Sequence, residues 1–119
     1  FLYKKKIDIM KKIMISQPMR GKTEEEILAQ KAKAENVCKE LGYEIENTFF
    51  NDEWAKTDKL EEDGVVQIPL HFLALALRHM ALCDAVYFCQ GWENYRGCKI
   101  EHDAAIAYGL RVIYETSEE

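Results

Sequence analysis

The sequence predicts a doubly wound α/β domain, a parallel sheet with helices on both faces, and three observations carry that prediction. Short apolar runs of strand length recur at Lys12 to Ser16, Asp84 to Phe88 and Arg111 to Tyr114. Between them lie stretches whose apolar residues repeat at helical spacing. Glycine or proline punctuates most junctions, among them Pro18, Gly21, Gly42, Gly91 and Gly109. Strand alternating with helix implies parallel strands joined by right-handed crossovers, and such a sheet needs both faces covered.

Residues 1–9 precede Met10 and are read as an N-terminal extension, with one domain over 10–119. Lys12 to Ser16 is the first strand, followed by the turn-rich loop Gln17 to Lys22. Thr23 with Glu26 three residues on forms a capping box, in which the hydroxyl takes the Glu26 amide and the carboxylate reaches back to the Thr23 amide. The helix that starts there keeps Ile27, Ala34, Cys38 and Leu41 on one face and stops at Gly42. Tyr43 to Phe50 alternates as a second strand. Asn51 to Gly64 is polar and long for a connection, so it reads as a surface flap with Trp54 as its apolar anchor. A second helix is expected from about Pro69 to Leu82, with Leu70, Leu73, Ala74, Leu77 and Ala81 as its stripe. Asp84 to Phe88 is the third strand, Gly91 and Gly97 bracket a polar loop, Gly97 to Tyr108 is an alanine-rich third helix, and Arg111 to Tyr114 is the fourth strand. The expected order for about four strands is 2-1-3-4, a three-layer flavodoxin-like or Rossmann-like sheet. In that order the chain reverses direction between strands 1 and 3, and ligands bind there at the carboxyl edge. The loops that meet at this point are Ser16 to Thr23 and Cys89 to Gly97.

Several function classes are disfavoured by the totals. A chain of 119 residues, 48% hydrophobic and 31% charged, has the composition of a globular domain with a modest core. Its net charge of -5 argues against a general nucleic-acid partner, which needs a basic face to release counterions. No apolar run is long enough to span a bilayer, and the opening FLYKKKIDIMKKIMIS lacks the continuous hydrophobic region of a secretory signal. A cytoplasmic protein without membrane contact is therefore expected. Cys38, Cys83, Cys89 and Cys98 form no CxxC pair and are expected to be reduced core thiols. His71, His79 and His102 show no ligand spacing, so neither a metal nor any other cofactor is expected.

The chemistry-bearing residues fall in the two facing loops. Ser16-Gln17-Pro18-Met19-Arg20-Gly21-Lys22-Thr23 is one residue short of a phosphate-binding GxxxxGK[ST] loop. Ser16 stands where that motif has its first glycine, Pro18 lacks an amide donor, and Glu24 to Glu26 already place negative charge on the helix start. A weaker anion or ligand loop using Arg20 and backbone amides fits better. In the second loop, Trp92 and Tyr95 either stack on a planar base or tuck against their own scaffold. Glu101 is placed in the first turn of the third helix, where amides and dipole favour an ionised carboxylate. It is either a helix-start carboxylate or a nucleophile. Cys98, near the same helix start, is a lesser candidate through a lowered thiol pKa.

Ser16 to Gly21, Asp84 to Phe88, Gly91-Trp92-Glu93-Asn94 and Arg96-Gly97-Cys98-x-Ile100-Glu101-His102 together resemble a bacterial and phage family of uncharacterised domains, DUF4406. That family looks like a small branch of the nucleoside 2-deoxyribosyltransferase superfamily, and Gly97 to Glu101 is similar to the G-x-x-x-E signature of those enzymes. The resemblance implies that Glu101 attacks the anomeric carbon of a nucleoside or nucleotide, releases the base, and carries the sugar as a covalent intermediate. It also implies a homo-oligomer, since such enzymes often complete their sites with a neighbouring subunit. Substrate contacts are expected from Ser16, Gln17, Pro18, Met19, Arg20 and Gly21 on one side and Gly91, Trp92, Glu93, Asn94 and Gly97 on the other. The acidic partner these enzymes carry before strand 3 has no counterpart in Leu75 to His79, which leaves Glu93 and His79 as candidate proton donors. The alternative is a non-catalytic module of the same fold that binds a nucleotide-like ligand.

Overall fold

The computed structural model describes residues 10–48 and 57–116. Its elements are β1 (Lys12–Ser16), α1 (Glu24–Glu40), β2 (Glu44–Glu46), α2 (Thr57–Glu62), α3 (Ile68–Met80), β3 (Ala85–Phe88), α4 (Arg96–Ala107) and β4 (Arg111–Tyr114), with a 3-10 turn at Trp92–Asn94. The described strands form a four-stranded, all-parallel sheet in the order β2-β1-β3-β4, as the alternation of strand and helix predicts. Ile13 stands opposite Ala85 and Ser16 opposite Phe88, so β1 and β3 end together at the carboxyl edge.

Strand geometry sends alternate side chains to opposite faces, and the two cores follow that parity. Ile13, Ala85 and Tyr87 pack with Ala34 and Cys38 of α1. Met14, Val86 and Phe88 pack on the other face with Met80 of α3 and Ala105 of α4. Both central strands are therefore covered on both sides, which is why their sequences are continuous apolar runs. Thr23 caps α1 by the expected box, its hydroxyl accepting from the Glu26 amide at 3.1 Å while Glu26 accepts from the Thr23 amide at 2.9 Å.

Two expectations are corrected. The strand read over Tyr43 to Phe50 is only Glu44–Glu46. Its pairing with β1 covers Lys12 to Met14 alone. Beyond it the Thr48 hydroxyl donates to the Ile15 carbonyl at 3.4 Å, a side chain standing where a ladder amide would be. Residues 49 and 50 lie outside the described residues, as do 1–9 and the part of the flap that holds Trp54. The remainder of that flap contains the short helix α2. On α3 the stripe is rotated: Ala76 and Met80 are its buried residues, while Leu70 is 59% exposed. Ala74 and Ala81 are exposed as well. The sequence stripe mixes two faces, one on the sheet and one toward the carboxyl edge.

Among the described residues no helix is long and apolar enough to cross a membrane. All four cysteines carry free thiols, with Cys38, Cys89 and Cys98 buried. Burial pushes the Cys83 thiol up to about 12 and raises Cys89 further still. Because the thiolate is the reactive form, native protein at pH 8 is expected to take up iodoacetamide at Cys89 at least about a hundredfold more slowly than denatured protein. Peptide mapping of the alkylated cysteines checks this, and equal rates would contradict the burial.

Candidate functional site at the carboxyl edge

Ser16 is the last residue of β1 and shares the parity of Met14, so its side chain faces the layer of α3 and α4. It is 2% exposed, the only buried polar residue among the described residues. A buried hydroxyl needs a partner, and the Ser16 Oγ donates to Glu101 Oε1 at 2.5 Å. The Cys98 side chain also interacts with that of Ser16. The end of the central strand is thereby tied to the helix that crosses above it.

Helix α4 begins at Arg96 because Tyr95 has extended geometry, with φ -123° and ψ 125°, and its carbonyl accepts the Lys99 amide at 3.0 Å. Glu101 is then the sixth helical residue and sits in the second turn, not the first. That corrects the expected electrostatics, since the unpaired amides and the dipole act mainly within the first turn. Burial governs instead, raising the Glu101 carboxyl from 4.5 to about 7 against the opposing hydrogen bond from Ser16. Near neutrality both protonation states are populated. Cys98 is corrected in the same sense, its thiol pushed up to about 11 by burial although it lies in the first turn.

Glu101 lies in the wall of a cleft of about 760 Å³. From the first loop Ser16, Gln17, Pro18, Met19 and Arg20 line it, and from the second Tyr95, Arg96, Gly97, Cys98, Ile100 and Glu101. The opposite wall is the apolar face of α3, including Ile68, Leu70, Phe72 and Leu73. The Tyr95 hydroxyl donates to the Arg20 carbonyl at 3.0 Å and latches one loop to the other. The Gln17 amide nitrogen donates to the Ile27 carbonyl at 2.6 Å, which commits this side chain to holding the loop on α1. A dimple on the α1 side, between Lys31 and Asn47, has room for about 20 Å³ only, about that of a single water.

The remaining expected contact residues stand elsewhere. Gly21 is exposed beside the loop and does not line the cleft. Gly91 has φ +94° and opens the 3-10 turn, so it serves the backbone of the second loop. A Cβ there would stand 3.9 Å from Pro18 Cγ, an ordinary contact. Gly91→Ala is therefore expected to cost about 1 to 2 kcal/mol through left-handed strain alone, read as a lower melting temperature with an unchanged circular dichroism spectrum. Glu93 and Asn94 are exposed in that turn and do not reach the cleft wall. Trp92 stacks on His102 with ring centroids 4.1 Å apart, beside Phe88 and Tyr114. The ring is tucked against its own scaffold, the second of the two readings open from sequence. His79 is paired with Glu46 at 2.7 Å and is absent from the cleft wall, so neither candidate proton donor stands beside Glu101. Arg96, Ile100 and the α3 wall were not singled out in the sequence. The Arg-Gly pair before the cysteine was the available signal for Arg96, once the helix start is placed at Tyr95. Among the described residues no three His, Cys, Asp or Glu side chains come together as a metal-ligand set.

The fold is a parallel α/β sheet of order β2-β1-β3-β4, with a carboxylate raised in pKa by desolvation at the edge where its strand order reverses. Residues 11–114 match the family model described as a domain of unknown function, DUF4406, and the chain belongs to that family. No curated protein and no solved structure matches the chain.

Proposed function

We propose that this protein cleaves or transfers the N-glycosidic bond of a nucleoside or nucleotide, with Glu101 as nucleophile. The observation that carries the reading is the Ser16–Glu101 pair: a half-buried, desolvated carboxylate, fixed by a 2.5 Å hydrogen bond, in the wall of an open cleft. A Glu101 oxygen attacks C1' of the sugar, the C1'–N bond breaks, and its electron pair leaves with the base nitrogen, which takes a proton from water in the cleft. Water or a second base then attacks C1', giving its proton to the hydroxide left by the first step, while the C1'–O bond to Glu101 breaks and the carboxylate is regenerated. A desolvated anion stabilises the positive charge that develops on the sugar more strongly than a hydrated one does. The apolar face of α3 offers a flat wall for a base. The resemblance of Gly97 to Glu101 to the transferase signature supports the same assignment.

The test is a mass-spectrometric screen against mixed nucleosides and nucleotides that follows released bases and a sugar adduct on the protein. Adduct mapping to Glu101 is the expected result, and a screen that shows neither base release nor adduct goes against the reading. Ser16 is a positioning residue in this scheme. Because its hydrogen bond lowers the Glu101 pKa, Ser16→Ala is expected to shift the acid limb of kcat/KM to higher pH. The optimum is expected to fall roughly tenfold or more, the worth of a hydrogen bond to a charged group. An acid limb that does not move would place Ser16 outside the chemistry.

One observation favours a second reading, a binding module without turnover. Among the described residues that line the cleft, Glu101 is the only carboxylic acid, so no second acid is at hand for the leaving base. Saturable nucleotide binding with no base release from any ligand in the screen would select it.

A further inference from the structure

The charge distribution of the cleft runs opposite to that of the chain. A protein of net charge -5 presents, among the described residues that line its cleft, one carboxylate and two guanidinium groups, those of Arg20 and Arg96. Both arginines are exposed, and among the described residues neither forms an ion pair. The Tyr95 hydroxyl on the Arg20 carbonyl ties the loop that carries Arg20 to the residue preceding Arg96, and both arginines line the same cleft. Arg96 is the first residue of α4, whose first turn holds no acid and whose cap residue makes no side-chain capping bond to the helix. A cation there opposes the helix dipole and an anion bound to it would reverse that cost. From Arg96 to Glu101 the helix rises roughly 7.5 Å at about 1.5 Å per residue, a span on the scale of a pentose between its anomeric carbon and a substituent at the far end. Lys22 adds positive potential from the same loop, lowering the Cys98 pKa against the effect of burial.

We propose that Arg20 and Arg96 form a phosphate subsite, and that the ligand of this cleft is a nucleoside 5'-monophosphate in preference to the bare nucleoside. Planar guanidiniums bind phosphate oxygens in pairs, and two of them match one dianionic phosphate. The sugar lies between this subsite and Glu101, and the base lies on the α3 wall. The assignment rests on the glycosidic reading for its base and sugar, while the anion subsite rests on the arginines alone.

The experiment measures binding by calorimetry on the Glu101→Gln protein, which holds ligand without turnover, using a panel of nucleosides, their 5'-monophosphates and ribose 5-phosphate. Monophosphates are expected to bind at least about tenfold more tightly than their nucleosides. Arg20→Met and Arg96→Met are each expected to remove about tenfold of monophosphate affinity and to leave nucleoside affinity unchanged. Equal affinity for nucleoside and monophosphate would overturn the subsite and leave the glycosidic reading standing. Ribose 5-phosphate that binds and is lost in both arginine variants, with no base-dependent gain, would uphold the subsite while the glycosidic reading fails. If neither monophosphate nor ribose 5-phosphate binds, the proposal is wrong.

Discussion

Glu101→Gln is expected to bind a nucleotide as the parent does and to lose base release by more than about a thousandfold, on the order of 4 kcal/mol of barrier at 1.36 kcal/mol per tenfold. Glutamine keeps the volume of the side chain and still accepts from the Ser16 hydroxyl, so the pocket is preserved. It has no negative charge with which to attack C1' or to stabilise the developing cation. The parent's kcat/KM is expected to rise with pH through about 7, because only the ionised carboxylate is nucleophilic and burial sets its pKa there. Base release and affinity are measured on both proteins over pH 5 to 9 with the substrate found by the screen. A loss smaller than about tenfold is too little for a missing nucleophile and selects the binding module.

The same substitution is expected to stabilise the fold at alkaline pH. In the folded protein the carboxyl titrates at about 7, against 4.5 as the ordinary value. Between those limits the native state holds more protons than the unfolded state, so stability falls as pH rises from about 4.5 to about 7 and is level above that. Burial of the neutral acid is tolerated, and burial of the anion is what costs. Glutamine remains neutral throughout. At pH 8 the variant should therefore exceed the parent by up to about 3 kcal/mol, at 1.36 kcal/mol per pKa unit, or roughly 10 °C in melting temperature for a domain of this size. At pH 4 the two should melt together. A helix-start carboxylate predicts the reverse, a loss of about 0.3 to 1 kcal/mol on neutralisation. Paired thermal melts at pH 4 and pH 8 separate the two cases.

The legible parts of this structure are those in which local chemistry and packing agree. The run Ile13 to Ile15 is apolar on both parities, as a central parallel strand requires, and the Thr23 box states its own geometry. Strand order followed from alternation. The start of α4 was less legible, because Tyr95 caps by backbone conformation without a side-chain signal. Counted from either Gly97 or Arg96, Glu101 lies beyond the first turn, and burial takes the place of dipole stabilisation as the cause of its titration. Trp92 was ambiguous for a different reason: its stacking partners His102 and Tyr114 are 10 and 22 positions away, as their numbers show, and sequence alone gives no distance between them. On α3 the repeat of Leu and Ala at helical spacing wraps around more than one face, so its phase is fixed only by what the sheet leaves uncovered.

The hydrogen bond between Ser16 and Glu101 joins residues 85 positions apart. Closing so large a loop has an entropic cost before the contact returns anything, and a nascent chain has made only half of the sheet when β1, α1 and β2 are complete. β1 has one neighbour until β3 is in place, and its second face then accepts α3 and α4 together. The pocket is thus a late product of refolding. In a stopped-flow experiment the recovery of ligand binding should lag the far-ultraviolet signal of α1, whose cap and spacing are satisfied entirely by residues 23–41.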